Sequence, residues 1–202
     1  VRTRARFYTV DYSPRDGSDH WRAQTSGRFL EAVIAFTGVI ADVPGEYSAY
    51  MWTDDDRYRS WGREVFGWPL VPAQFELTGD VWGDAVTRGS MCRVVDPDVT
   101  ISLELDDTPA EDIERGPAAN WLTPRRVVFP GRPDRRDLLV VRPEVRAAGR
   151  FARRHGRLTL QPAPGSWAQG LEPLGDLDIH TLQNFQIVVG GDVETVIEGD
   201  AE

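Results

Sequence analysis

Residues 99–106 alternate strictly: Val99, Ile101, Leu103 and Leu105 are apolar, while Thr100, Ser102, Glu104 and Asp106 are polar. A period of two collects all four apolar side chains on one face of an extended strand, which a helix of 3.6 residues per turn cannot do. Less regular runs over 28–40, 46–53, 72–78, 81–88, 125–129, 137–142, 157–161 and 181–189 are rich in β-branched and aromatic residues. Turn formers at Gly79-Asp80, Asp96-Pro97, Pro130-Gly131-Arg132-Pro133 and Gly190-Gly191 punctuate them. Many short strands joined by tight turns predict a mainly β, antiparallel architecture with one or two short helices.

The clearer helix begins at Asp54-Asp55-Asp56, which supplies an N-cap and first-turn negative charge, and carries Tyr58, Trp61, Val65 and Phe66 at helical spacing. Gly67 and Pro69 end it. A second is expected over 143–154, with Val145, Ala148, Phe151 and Ala152 inward and Arg146, Arg150, Arg153 and Arg154 in water. Residues 1–27 are polar and aperiodic and read as an N-terminal arm or lead-in. No repeat, linker or composition shift divides 28–202, which reads as one domain.

Composition removes several functions. All 23 basic residues are arginine, so Schiff-base chemistry on a side-chain amine is excluded. Against them stand 32 acidic residues, and a net charge of −9 opposes binding to phosphate backbones, so no nucleic-acid partner is expected. No run approaches the ~20 apolar residues of a membrane span. The basic start, Val1 to Arg6, leads to Tyr8, Asp11 and Pro14 rather than an apolar run, which makes cytoplasm the expected compartment. Cys92 is the one cysteine, and His20, His155 and His180 are widely spaced, so no metal site is expected. Asp54, Asp55 and Asp56 lack the alternating ligands of a calcium loop, and Gly165, Gly170 and Gly175 form no phosphate loop. Cys92 reads as buried and inert and His180 as structural. No cofactor is implied.

The block Gly45-Glu46-Tyr47-Ser48-Ala49-Tyr50-Met51-Trp52-Thr53-Asp54-Asp55-Asp56, followed by Gly62-Arg63-Glu64-Val65-Phe66-Gly67-Trp68-Pro69, resembles the central signature of the acetoacetate decarboxylase family. There a strand opened by Gly-x-Tyr runs into an aspartate-rich turn, a helix ending Gly-Arg-Glu, and a Gly/aromatic-Pro step. Asn120-Trp121-Leu122-Thr123-Pro124-Arg125-Arg126 resembles the family's Asn-x-Leu-x-Lys/Arg segment, and 171–198 looks like its C-terminal strands, so the likeness covers about 28–198. The resemblance implies an antiparallel β-barrel or cone around a buried cavity.

In that family the proline of the step precedes two lysines, one forming the Schiff base and the other lowering its pKa. Here those positions hold Leu70 and Val71, which cannot form an iminium. Counting back without gaps from Gly45, Glu31 falls where the family carries an acidic residue lining its cavity. If Phe29, Glu31, Val33 and Ala35 share the inward face, Glu31 is a buried carboxylate suited to general acid/base work. In the opposite phase Leu30, Ala32, Ile34 and Phe36 point inward and Glu31 is solvated; alternation does not choose, and the resemblance favours the buried phase. Arg63 either ties the helix end to the barrel through a pair with Glu64 or holds a substrate oxygen. Tyr50, on the matched strand with Met51, either packs in the core or offers a phenol to a carbonyl. Trp68, Leu70, Val71, Met51 and Glu64 are the expected ligand contacts.

The resemblance and the missing lysines together imply a lysine-independent enzyme on a β-keto or polyketide-like small molecule. Its chemistry would be cyclisation, dehydration, isomerisation or C–C lyase chemistry through an enol(ate), with Glu31, Arg63 and Tyr50 as the catalytic set. The arginine-rich, lysine-free, Ala/Gly/Asp/Val-rich composition suggests high-GC coding and, by association, secondary metabolism such as antibiotic biosynthesis. The alternative is a non-catalytic protein holding a small molecule in the same cavity, and a homo-oligomer is left open.

Overall fold

The computed structural model describes residues 2–11, 28–40, 42–78, 90–106, 109, 111–112, 114, 119–127, 135–147, 151–170, 179–182, 186–188 and 194–195. Its strands are β1 (Arg2–Asp11), β2 (Arg28–Ile40), β3 (Val43–Thr53), β4 (Leu70–Pro72), β5 (Gln74–Thr78), β6 (Ser90–Val95), β7 (Val99–Leu105) and β8 (Glu111–Asp112). They continue as β9 (Trp121–Val127), β10 (Arg135–Val141), β11 (Glu144–Ala147), β12 (Phe151–Arg154), β13 (Gly156–Pro162), β14 (Ile179–Leu182), β15 (Gln186–Val188) and β16 (Glu194–Thr195). Between β3 and β4 lies α1 (Asp56–Trp61), which runs on as a π-helical turn over Gly62–Phe66. The expected mainly β architecture is therefore present, with one of the one or two expected short helices among the described residues, and its strands fall on most of the expected runs; 81–88 lies outside the described residues.

Two compact units form, one from Val1–Pro72, Pro117–Glu144 and Ile187–Glu202, the other from Ala73–Gly116 and Val145–Gln186. Each is assembled from separated stretches of chain, so no linker marks a boundary and a search for composition shifts passes over it. The lead-in expected over 1–27 contains β1, paired antiparallel with β2 from Arg2↔Thr37 to Asp11↔Arg28.

In the first unit the strand order is β1-β2-β3-β9-β10-β16, with β4 also on β3. β2 and β3 meet at a tight turn where Asp42 takes φ 63°, a left-handed conformation that Asp tolerates. β4 and β9 run parallel to β3. Paired positions share a face, so Val33, Ala35, Met51, Leu70, Leu139 and Val141 collect on one side of the sheet, where Phe29, Tyr58, Phe66 and Trp68 join them. The opposite side carries a second cluster of Leu122, Leu138 and Val140, with Ile40 and Val43 against it. Ala32, Ile34 and Trp52 on that side are also buried. Both phases of β2 are therefore inward along 31–35, because this stretch of sheet is covered on both faces.

In the second unit the order is β13-β7-β6-β5, and Val99, Ile101 and Leu105 are buried on β7, as their alternation predicts. The turn at Asp96-Pro97 is closed by reciprocal backbone bonds between Asp96 and Val99 and by Asp96 Oδ1 accepting from the Asp98 N–H at 2.9 Å. The helix expected over 143–154 is not formed. Glu144–Ala147 and Phe151–Arg154 are strands, and β12 pairs with both β14 and β8, so cross-strand hydrogen bonding overrides the helical spacing of the apolar residues. Among the described residues the pairings form open sheets and none closes into the expected barrel.

Candidate functional site

The register of β2 on β3 places Thr53 opposite Glu31, and the chain then turns through three aspartates, each with a separate task. Asp54 Oδ1 accepts from the Leu30 N–H at 2.8 Å, extending the ladder by one side-chain rung. Asp55 is the N-cap of α1: it is buried, and its Oδ1 accepts from the Tyr58 N–H at 2.7 Å. Asp56 pairs with Arg59 at 3.0 Å on the exposed side of the first turn. The expected capping role is thus carried by Asp55, and no metal-binding group of His, Cys, Asp and Glu occurs among the described residues.

Capping aims Tyr58 back at β2. Its phenol donates to Glu31 Oε1 at 3.2 Å, and its ring stacks on Phe29 with centroids 4.1 Å apart. Glu31 is 7% exposed and Tyr58 3%. Glu31 is therefore buried, although the alternative phase, with Ala32 and Ile34, is buried on the other face as well.

The π-helical turn shapes the rest. Tyr58, Gly62 and Phe66 face inward at intervals of four, while Val65, expected on the same face, is exposed because the wider turn rotates it out. Gly67 closes the turn at φ 70°, and the Trp68 N–H reaches back to the Gly62 carbonyl at 3.1 Å. A Cβ on Gly62 would overlap Leu70 Cδ1 and lie 3.0 Å from Trp68 Cε3, so the glycine lets the turn press onto both. Gly45 has the same function on β3, where a Cβ would meet the Asn120 carbonyl oxygen at 2.7 Å and Leu122 Cγ at 2.8 Å. Asn120 also donates from Nδ2 to the Pro44 carbonyl at 2.9 Å, locking β9 to the start of β3.

Leu70 is fully buried beside Met51, whereas Val71, one residue on, belongs to the other face and is 39% exposed. Trp68 is buried, stacked on Phe66 at 4.4 Å and edge-on to Trp121 at 5.9 Å. Of the expected contacts, Met51, Trp68 and Leu70 therefore join Glu31 on one face. Tyr50 does not: its pairing with Ile34 puts it on the opposite face, stacked with Trp52 at 6.2 Å. Arg63 and Glu64 lie on the exposed side of the π-helical turn.

A second buried glutamate, which the sequence does not single out, stands on the same sheet. Glu46 is 4% exposed, pairs with Thr37 on β2 and Trp121 on β9, and so lies on the same face as Glu31. Thr53 and Thr123 are buried there too. A Glu this buried is rare unless its carboxylate is met by hydrogen bonds or an ion pair, and for Glu31 the Tyr58 phenol is one such partner.

No family model matches the chain, and no curated protein matches it in sequence. Solved structures match in fold. The enduracididine biosynthesis enzyme MppR with HEPES buffer bound gives a TM-score of 0.69 at 19% identity, covering 96% of this chain and 74% of that one. MppR complexed with the condensation product of pyruvate and imidazole 4-carboxaldehyde gives 0.65 at 18%, covering 92% and 75%. Acetoacetate decarboxylase from Legionella pneumophila gives 0.60 at 14%, covering 84% and 68%. Identities this low speak to architecture, and on that ground the chain has the fold of the acetoacetate decarboxylase-like enzymes.

Proposed function

We propose that this chain is a lysine-independent enzyme of the acetoacetate decarboxylase-like fold, acting on a β-keto, keto-acid-derived or polyketide-like small molecule through an enol(ate). Glu31 is its general acid/base. The observation that carries the reading is the buried Glu31 carboxylate, bonded to the Tyr58 phenol on a face that also holds Glu46, Thr53 and Thr123. In the step we assign to it, Glu31 takes a proton from the carbon next to a carbonyl, and the C–H electron pair moves onto the carbonyl oxygen. Returning that proton elsewhere isomerises the substrate; loss of a β-hydroxyl as water dehydrates it. Both need a hydroxyl donor at the developing oxyanion, and Thr53, paired directly across from Glu31, carries the buried hydroxyl placed for it. Arg63 and Tyr50 drop out of the assignment, one exposed and the other across the sheet. MppR was solved with pyruvate and with a pyruvate–aldehyde condensation product, which supports a keto-acid-derived substrate and secondary metabolism.

A non-catalytic binder is the competing reading. Holding an apolar ligand requires no buried carboxylates, so their presence favours the enzyme. Mass spectrometry of small molecules carried through native purification, together with a panel pairing pyruvate with aromatic aldehydes, is the test. Turnover should fall about 10²–10⁴-fold in Glu31→Gln. A folded variant turning over within a few-fold of the parent would sink the assignment.

A further inference from the structure

We infer that Tyr58 is a positioning residue for Glu31, itself held by a circuit of hydrogen bonds through the aspartate turn; this deepens the acid/base reading above and rests on it. The circuit runs from Glu31 Oε1 to the Tyr58 phenol at 3.2 Å, and from the Tyr58 backbone N–H to Asp55 Oδ1 at 2.7 Å. The Asp55 N–H donates to Thr53 Oγ1 at 3.2 Å. Asp54, next in the chain to both Thr53 and Asp55, accepts from the Leu30 N–H at 2.8 Å and donates its own N–H to the Leu30 carbonyl at 3.4 Å. Leu30 is bonded to Glu31, which completes the ring. The cap and turn bonds thus fix the Tyr58 backbone relative to β2, and the phenol passes that placement to the Glu31 carboxylate.

The hydroxyl is what separates positioning from packing. Phe29, two residues before Glu31 on β2, stacks on the Tyr58 ring at an interplanar angle of 26°, and Trp61 and Trp68 flank it at 6.2 Å. A phenylalanine would fill that stack equally well, and a buried hydroxyl is costly unless bonded. The bond it makes is to the carboxylate, and a neutral donor favours the charged form of a carboxylate. Thr53 lies across from Glu31 on β3 and Asp55 caps the helix that carries Tyr58, while Glu46 is opposite Thr37, six residues along β2; Tyr8 and Arg6 occupy the β1 positions paired with Glu31 and Val33.

The test reads Glu31 without any substrate. In the full chain labelled at glutamate Cδ, the Glu31 carbon-13 signal is assigned by its loss in Glu31→Gln and followed with pH. In Tyr58→Phe the midpoint should rise by about one pH unit, because the charged form loses its donor. Asp55→Ala should move it in the same direction, and Asp55→Asn, which keeps an Oδ1 acceptor, should leave it near the parent value. An unmoved midpoint in folded Tyr58→Phe overturns the proposal, as does an Asp55→Ala chain that melts earlier with Glu31 titrating as in the parent. These outcomes are separable from the functional reading: unchanged turnover in Glu31→Gln defeats that reading whatever the midpoint does.

Discussion

Two glycines on the first unit's sheet and helix differ sharply in what surrounds them, and that difference is measurable. At Gly62 an added methyl overlaps Leu70 Cδ1 and crowds the Trp68 ring, and both neighbours are buried with little room to yield. Overpacking of this kind costs about 1–3 kcal/mol, more than the ~1 kcal/mol that alanine gains over glycine in a helical turn. Gly38, near the far end of β2, has nothing within 4 Å of the same position. Thermal melts should therefore place Gly62→Ala below the parent and Gly38→Ala at or above it; equal melting of all three would mean that the close packing under the helix is not rigid. Single residues also differ in how much of their role the sequence reveals. Glu31 is legible as one of two phases. Glu46 is not, for a definite reason: it is five residues from Met51, and strict alternation assigns the two to opposite faces. The register slips between Ile34 and Ala35, leaving Ala49 as an extra residue on β3, and this bulge returns Glu46 to the face of Met51. Nothing local announces it. Tyr58 is legible as a core-facing helical residue, but its bond to a carboxylate 27 positions earlier depends on the sheet register, which one helix cannot reveal.

At the scale of elements, the departure from ideal geometry lies in the continuation of α1. Helical spacing predicts Val65 and Phe66 both inward, but the π-helical turn buries Phe66 against Trp61 and Trp68 and leaves Val65 exposed. Phe66→Ala should cost about 3–5 kcal/mol in denaturant unfolding, the usual range for a buried aromatic, while Val65→Ser should stay within ~0.5 kcal/mol. Comparable losses at the two positions would restore the regular helix that spacing alone suggests. The strands are the more legible elements. β7 is stated by its alternation, and β2, β3, β10 and β13 fall where β-branched and aromatic runs place them. Residues 143–154 mislead because the same apolar spacing fits a helix face or two short strands, and the choice is made by β14 and β8, distant in sequence. The aspartate turn is legible as a cap, but not its division of labour, since only the end of the β2–β3 ladder decides which aspartate meets Leu30 and which meets Tyr58.

For the molecule as a whole, the decisive property is shared by all 202 residues: none is a lysine. An iminium to a keto acid requires a primary amine, and arginine, which does not deprotonate in proteins, cannot supply one. The fold resembles that of enzymes in which, by the sequence resemblance, two lysines follow the proline step; here the first of those positions, Leu70, is fully buried against Met51 and beneath Gly62, and the second, Val71, lies on the other face. The electron sink cannot have moved to another side chain within these residues, because no amine exists to receive it. Incubation with acetoacetate should therefore release no carbon dioxide above the uncatalysed rate, and borohydride added with pyruvate should leave the mass of every tryptic peptide lacking the N-terminal amine unchanged. Leu70→Lys should not reverse either result. A single ammonium placed in that aromatic and aliphatic packing has to be desolvated without the neighbouring cation that tunes the family's amine, and the expected outcome is a lowered melting temperature rather than activity. A borohydride-stable mass increase on any internal peptide of the parent chain would refute the non-covalent enol(ate) route, since it would demonstrate a covalent keto-acid adduct on a side chain that is not an amine.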